Sequence, residues 1–294
     1  MRTRSIAAGT IAFVLFAAAC ANASSTGTGD GGSGGISHPT GPSQLVIRVD
    51  TSGGFVAPSF TIQHVPGFSL YGDGTSISPG AQIEIYPGPA LSSLIAASIT
   101  EEGVQAILQA AKGAGLFSNT DYTDMGSVGI SDMPTTTFTV VADGHTYVTR
   151  VYALGELNPR PRGMSPDEFA ARKALLSFSN SLADPASWLP KGSVGASGPF
   201  TPTSVRIFVG PYQPDQGGLT EPAIDWPLQP GLAGFGTKST GDMALQLDCG
   251  TVTGGDLASL LPLVQKANQL TPWASGGKRY SLTFRPLLPD ETGC

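Results

Sequence analysis

Cysteine and histidine occur three times each in the 294 residues, and neither type clusters. His38, His64 and His145 are separated by long intervals with no second histidine or cysteine at ligand spacing. That pattern excludes a zinc-type site and predicts a protein without a metal or other cofactor. Charge is also sparse, at 13%, with 16 basic residues against 22 acidic ones. No basic run could neutralise a stretch of phosphates, so nucleic acid is excluded as a partner. The polybasic patch that holds proteins on anionic lipid is missing too. The longest apolar stretch, Ile6–Ala19, falls short of the roughly 20 residues that span a bilayer. Neither a Gly-x-Ser-x-Gly elbow nor a glycine-rich loop with the lysine of a phosphate site occurs.

What the N-terminus does have is an export signal. Arg2 and Arg4 precede an uncharged stretch from Ser5 to Ala19, and Ala17, Ala18 and Ala19 lead directly into Cys20. This resembles a bacterial lipoprotein signal, residues 1–19, after which the Cys20 thiol carries diacylglycerol and the new N-terminus a palmitate-type chain. Such a chain is held on the outer face of the cytoplasmic membrane, at about 0.8 kcal/mol per buried CH₂. An ordinary secretory signal would use the same elements and leave Cys20 free or remove it. Cleavage removes both arginines and no acid, so a net charge of −6 becomes −8.

Residues 20–43 read as a Ser/Gly/Thr tether with Ile36 as its one bulky apolar residue. As a flexible coil it would reach about 25–30 Å. Alternation begins at Leu45, Ile47 and Val49, as in a strand buried on one face. Phe60 with Ile62, Phe68–Tyr71, and Ile83 with Ile85 read as further strands, and Gly72-Asp73-Gly74 as a tight turn. Asp143-Gly144 joins Thr135–Ala142 to His145–Leu154 in a second hairpin.

Three amphipathic helices follow from periodicity and caps. The first, 101–114, starts at Thr100 with Glu101 and Glu102 in its first turn. It carries Val104, Ile107, Leu108 and Ala111 on one face and stops at Gly115. The second, 166–183, opens on the capping box Ser165-Pro166-Asp167-Glu168 and carries Ala171, Leu175, Phe178 and Leu182. The third, 254–268, follows Thr253 and contains Leu257, Leu260, Leu261 and Val264, with Pro262 set to kink it. Glycines and prolines in 190–202 predict a linker between α+β domains at 44–189 and 203–294. Strands at Val205–Val209, Met243–Leu247 and Tyr280–Arg285 complete the second. The whole is expected to be α+β, mostly antiparallel sheet with three helices packed on it. A shift of 153 aligns Thr100 with Thr253 and Val104, Ile107, Leu108 and Ala111 with Leu257, Leu260, Leu261 and Val264. Two related ββαβ-type halves would produce that match.

Phe68–Thr75, Thr100–Val104, Gly115-Leu116-Phe117 and Asp132–Thr136 together resemble a bacterial exported domain of unknown function. Leu270–Trp273 and Arg285–Asp290 resemble an uncharacterised actinobacterial lipoprotein family. The resemblance covers most of the exported chain and implies no activity.

Reactive constellations are weak. Ser275 and Lys278 have serine–lysine spacing but lie in a glycine turn, and Lys238-Ser-Thr-Gly241 stands on the wrong side of them for a penicillin-recognising site. Asp121, Asp124 and Asp132 form an acidic loop without calcium-loop spacing. Trp188, Trp226 and Trp273 each neighbour a proline and are expected to plug loop ends against the core. With Cys20 acylated, Cys249 and Cys294 are the two thiols left in an oxidising compartment, which predicts a disulfide between them. The expected function is a membrane-anchored, non-enzymatic binding or assembly role toward an envelope protein, polymer or small ligand. The competing expectation is an envelope hydrolase whose carboxylates or serine converge only in the fold.

Overall fold

The computed structural model describes residues 34–81, 85–126, 128–238 and 247–294, of which Ile36–Cys294 form one compact unit. Its elements, in chain order, are β1 (Leu45–Gly53), α1 (Pro58–Gln63), β2 (Phe68–Tyr71), β3 (Thr75–Pro79), β4 (Leu94–Ile99), α2 (Glu101–Gly113), β5 (Thr120–Tyr122), β6 (Pro134–Ala142), β7 (His145–Tyr152) and α3 (Pro166–Ser181). Then come β8 (Val194–Pro199), β9 (Ser204–Pro211), β10 (Ile224–Asp225), β11 (Thr237–Lys238), β12 (Asp248–Thr253), α4 (Gly254–Val264), β13 (Trp273–Ser275) and β14 (Lys278–Pro286). They build an eight-stranded sheet, β5-β7-β6-β1-β2-β3-β4-β8, and a six-stranded one, β10-β13-β14-β9-β12-β11. Only the pairs β5–β7 and β10–β13 are parallel among the described strands. The chain is α+β and dominated by antiparallel sheet.

In the first sheet Ile47, Leu70 and Val140 share one register row and Val49, Phe68 and Phe138 another. These rows meet Val104, Ile107, Leu108 and Ala111 of α2 and Leu175 and Phe178 of α3 in a buried core. The N-terminal caps form as expected: Gly103 N donates to Thr100 Oγ1, and Glu168 N to Ser165 Oγ. In the second sheet Val205, Ile207, Val209, Leu282 and Phe284 pack on Leu257, Leu260 and Val264 of α4. Thr253 precedes α4 without a side-chain cap, and α4 ends at Val264, two residues past Pro262.

The turns obey backbone sterics. Asp143 (φ 51°) and Gly144 (φ 72°) both lie in the left-handed region that a two-residue hairpin of the primed type requires. At Gly74 (φ +82°) the constraint is tighter, since a Cβ there would lie 2.2 Å from the Ile99 carbonyl oxygen. That close approach allows Ile99 N to donate to Gly74 O at 2.7 Å.

Several expectations are corrected. Phe60 and Ile62 lie on the helical turn α1, which Pro58 starts and which buries none of its residues. The strand expected at Ile83–Ile85 fails at Ile85, which is irregular and exposed, while Ile83 is outside the described residues. Met243 and Leu245 are also outside them, and the strand expected there begins instead at Asp248. The segment read as a linker contains β8, hydrogen-bonded to β4.

The last part of the segment read as a tether belongs to the body. Ile36 is buried, its N–H donates to Gln105 Oε1, and its carbonyl accepts from Gln105 Nε2, both at 2.8 Å. Asp143 N donates to Ser37 O at 2.7 Å. Residues 36–43 are thus a strap seated on α2 and the β6–β7 turn.

The proposed repeat extends to the helix stripes and not to the chain path. β4, which leads into α2, lies three strands from β1 in its sheet, whereas β12, which leads into α4, lies beside β9. After the helix, the first hairpin places its first strand, β6, against β1, and the second places its second strand, β14, against β9.

Candidate binding cleft

Cys20 lies outside the described residues. Cys249 and Cys294 are joined in a disulfide with a Cα–Cα separation of 6.0 Å. What the disulfide holds was not visible in the sequence. The tail after β14 returns across both sheets, and Leu288 packs with Tyr71, Ile77 and Leu94 on the face of the first sheet away from its helices. There Arg48 Nη2 donates to Asp290 Oδ1 at 2.7 Å, Tyr71 Oη donates to the same oxygen at 2.8 Å, and Arg48 Nε donates to Ser69 Oγ. One residue on, both Glu291 oxygens accept from Arg285 at 2.7 Å, and Arg285 Nε donates to the His64 carbonyl.

The electrostatics of this cluster are those of a clamp. Burial pushes the Asp290 and Glu291 carboxyls up, but their arginine and Tyr71 or backbone hydrogen bonds outweigh it and leave both below the ordinary range. Tyr71 is raised, by burial first and by its hydrogen bond to Asp290 second. A carboxylate so stabilised keeps its charge at neutral pH and is a poor proton donor. Carboxylates do converge from distant segments, and arginines neutralise them.

The remaining sequence candidates separate in space. His38 Nε2 contacts Glu101 at 3.1 Å. His64 Nε2 lies 2.5 Å from Asp50 Oδ1, an acidic partner on β1 that its own segment did not reveal. Among the described residues no hydroxyl or thiol hydrogen-bonds the His64 ring. Asp121 accepts from Thr123, Asp124 accepts from Gly126, and Asp132 has φ 60°, so the acidic loop consists of separate turns. No metal-binding cluster of acidic, histidine or cysteine residues occurs among the described residues. Ser275 Oγ accepts from Leu232 N and anchors a turn. Lys238 faces Asp248 at 3.9 Å. Trp226 and Trp273 cross edge-on inside the second core, and Trp188 Nε1 donates to Ser181 O, as expected of plugs.

Three surface clefts among the described residues bear on binding. One, of about 150 Å³, lies beside α3 and includes Arg172. That guanidinium is already engaged by Glu168, Tyr152 O and Tyr122 O. Another, of about 250 Å³, lies between α4 and the β4–β8 edge. The third, of about 240 Å³, lies between α1, Tyr86 and β14, and it differs in its rim. The large apolar side chains left exposed among the described residues are Phe55, Val56, Phe60, Ile85, Tyr86 and Leu219. The first five belong to the two segments bordering this cleft, and Leu219 is joined to it through Asp215. Asp215 accepts from Tyr86 Oη at 2.6 Å and from Leu219 N at 3.1 Å. The Tyr86 bond holds the Asp215 carboxyl below the ordinary range. Exposed apolar side chains scattered singly are ordinary, but a cluster beside a cleft marks a binding surface.

No protein-family model, curated protein or solved structure matches the chain.

Proposed function

We propose that this chain is a lipid-anchored extracytoplasmic protein, held through Cys20, that binds a partner or ligand in the envelope without catalysing a reaction on it. The anchoring rests on the run from Arg2 to Cys20 and agrees with the lipoprotein family that the motifs resemble. The binding role rests on one observation: exposed aromatic and aliphatic side chains lie on the two chain segments that border a cleft with no charged side chain among its described lining residues. The charged groups that converge elsewhere are closed on one another. A surface protein with no ligand would gain nothing from leaving Phe55 and Phe60 in water.

The hydrolase alternative draws its support from the His64–Asp50 pair. One experiment weighs both. The full chain, expressed in a bacterium that processes lipoproteins and carrying a photoreactive group at position 60, is irradiated in intact cells. Cys20→Ala is expected to release the protein from the membrane or leave it unprocessed, and irradiation to give a discrete crosslinked species. Turnover of an envelope ester, peptide or glycan that His64→Ala abolishes would replace the binding reading with the hydrolase.

A further inference from the structure

Resting on that reading, we infer that the cleft between α1 and β14 recognises an uncharged saccharide, one or two sugar units of a neutral envelope glycan. The argument is chemical. Among the described residues no charged side chain lines the cleft, whereas Ser59, Gln63, Tyr86, Gln269 and Thr283 bring neutral hydroxyl and amide groups to it. A sugar ring presents hydroxyls around its edge and C–H groups on its faces. Neutral amides, which both donate and accept, match the edge, and exposed aromatic faces match the C–H surface. The hydroxyls of Ser59 and Thr283 and the amide of Gln63 have no hydrogen-bond partner among the described residues, so they are available to a ligand.

Tyr86 lines the cleft, and Phe60 lies on α1 between the lining residues Ser59 and Gln63. Phe60 and Gln63 stand three positions apart on α1, hence on one side of the turn. Phe60 is 60% exposed and Tyr86 61%. The Tyr86 hydroxyl is fixed by Asp215, so the ring meets a ligand already oriented and little freedom is lost on binding. The volume of about 240 Å³ suits a monosaccharide or short stretch of polymer, not a buried drug-sized molecule. An acidic polymer would meet no cation among the described residues of the cleft. An apolar peptide would leave the polar groups of Ser59, Gln63 and Thr283 unmatched.

The test titrates the full-length protein with neutral hexose and pentose oligosaccharides, with a uronic-acid oligosaccharide and with phosphatidylcholine–phosphatidylglycerol vesicles. Saturable binding of at least one neutral oligosaccharide is expected. Phe60→Ala and Gln63→Ala should each weaken it about tenfold with unchanged thermal unfolding, and Phe169→Ala, in the cleft beside α3, should leave it unaltered. Absence of saturable binding to every neutral saccharide overturns the inference, as does binding indifferent to both variants or tighter binding to the acidic sugar or vesicles. Persistence of the position-60 crosslink in those cases would retain the binding function while removing the sugar. Cleavage of a bound oligosaccharide would do the reverse.

Discussion

Arg48 and Asp290, 242 positions apart, meet at 2.7 Å on the face of the first sheet that the helices leave uncovered. Neither group is exposed by more than 20%, and Tyr71 donates to the same carboxylate oxygen. Removing one partner of such a pair leaves the others desolvated without compensation, which costs more than the net contribution of the intact bond. Asp290→Ala is therefore expected to destabilise the protein by about 2–3 kcal/mol. Exchanging Arg48 and Asp290 together for apolar residues should cost less than the sum of the single changes. Urea unfolding of the single and double variants measures this, and a loss below about 0.5 kcal/mol for Asp290→Ala would reduce the contact to a surface ion pair.

The same cluster sets a pH dependence with a definite sign. Asp290 and Glu291 have lower pKa values in the folded chain than their ordinary values near 4. The unfolded chain then binds more protons in this range, so stability rises with pH. The contribution is complete above about pH 5 and declines as pH falls through the folded values. Tyr71 works in the opposite direction: its raised value favours the protonated phenol, whose contribution is lost as pH rises beyond about 10. Unfolding midpoints between pH 3 and pH 11 should fall at both ends. Asp290→Asn combined with Glu291→Gln should flatten the acid limb and weaken the alkaline limb without abolishing it, since burial of Tyr71 remains while its charged acceptor is lost.

The Cys249–Cys294 bond closes a separation of 45 residues, and restricting the unfolded chain by that loop contributes about 4 kcal/mol. Its geometric effect is to hold the tail that carries Asp290 and Glu291 in register. In a Cys20→Ala background, thiol reagents should find no reactive cysteine before reduction. Cys294→Ser should lower stability and also diminish the penalty of Asp290→Ala, a non-additivity that a double-mutant cycle reads directly. Full additivity would separate the disulfide from the clamp.

Gly74 and Gly144 test crowding against conformation. Both have positive φ, +82° and +72°, but an added Cβ meets Ile99 O at 2.2 Å in the first and nothing within 4 Å in the second. Gly144→Ala should cost about 1 kcal/mol from backbone strain alone. Gly74→Ala should cost several times as much, because β3 must separate from the Gly74–Ile99 contact. Equal losses would show that the turn can move away.

The parts of this fold legible in the sequence are those settled within a few residues. The stripe Val104–Ile107–Leu108–Ala111 and the Ser165 capping box specify α2 and α3 because helix contacts recur every turn. Asp143-Gly144 specifies its hairpin because few residue pairs tolerate that turn. β4 and β8 were illegible because Ala96, Ala97, Ser98, Gly195 and Gly198 carry little strand signal, and their pairing is made by backbone groups. Phe60 and Ile62 imitate strand alternation over a window too short to separate a period of 2 from one of 3.6. The disulfide could be inferred once Cys20 was assigned elsewhere. The clamp and the cleft could not, since β1, α1, Tyr86, β14 and the tail become neighbours only through the sheets.

The edges of the first sheet are short and broken. Its outermost strands are β5, three residues long, and β8, whose six residues include Gly195, Gly198 and Pro199. Short edges and an edge proline offer few consecutive free backbone groups to a second chain. Open edges zip together into polymers when chains are crowded. If copies of this chain were held side by side in one plane, as the proposed anchoring requires, these borders would disfavour pairing through the first sheet.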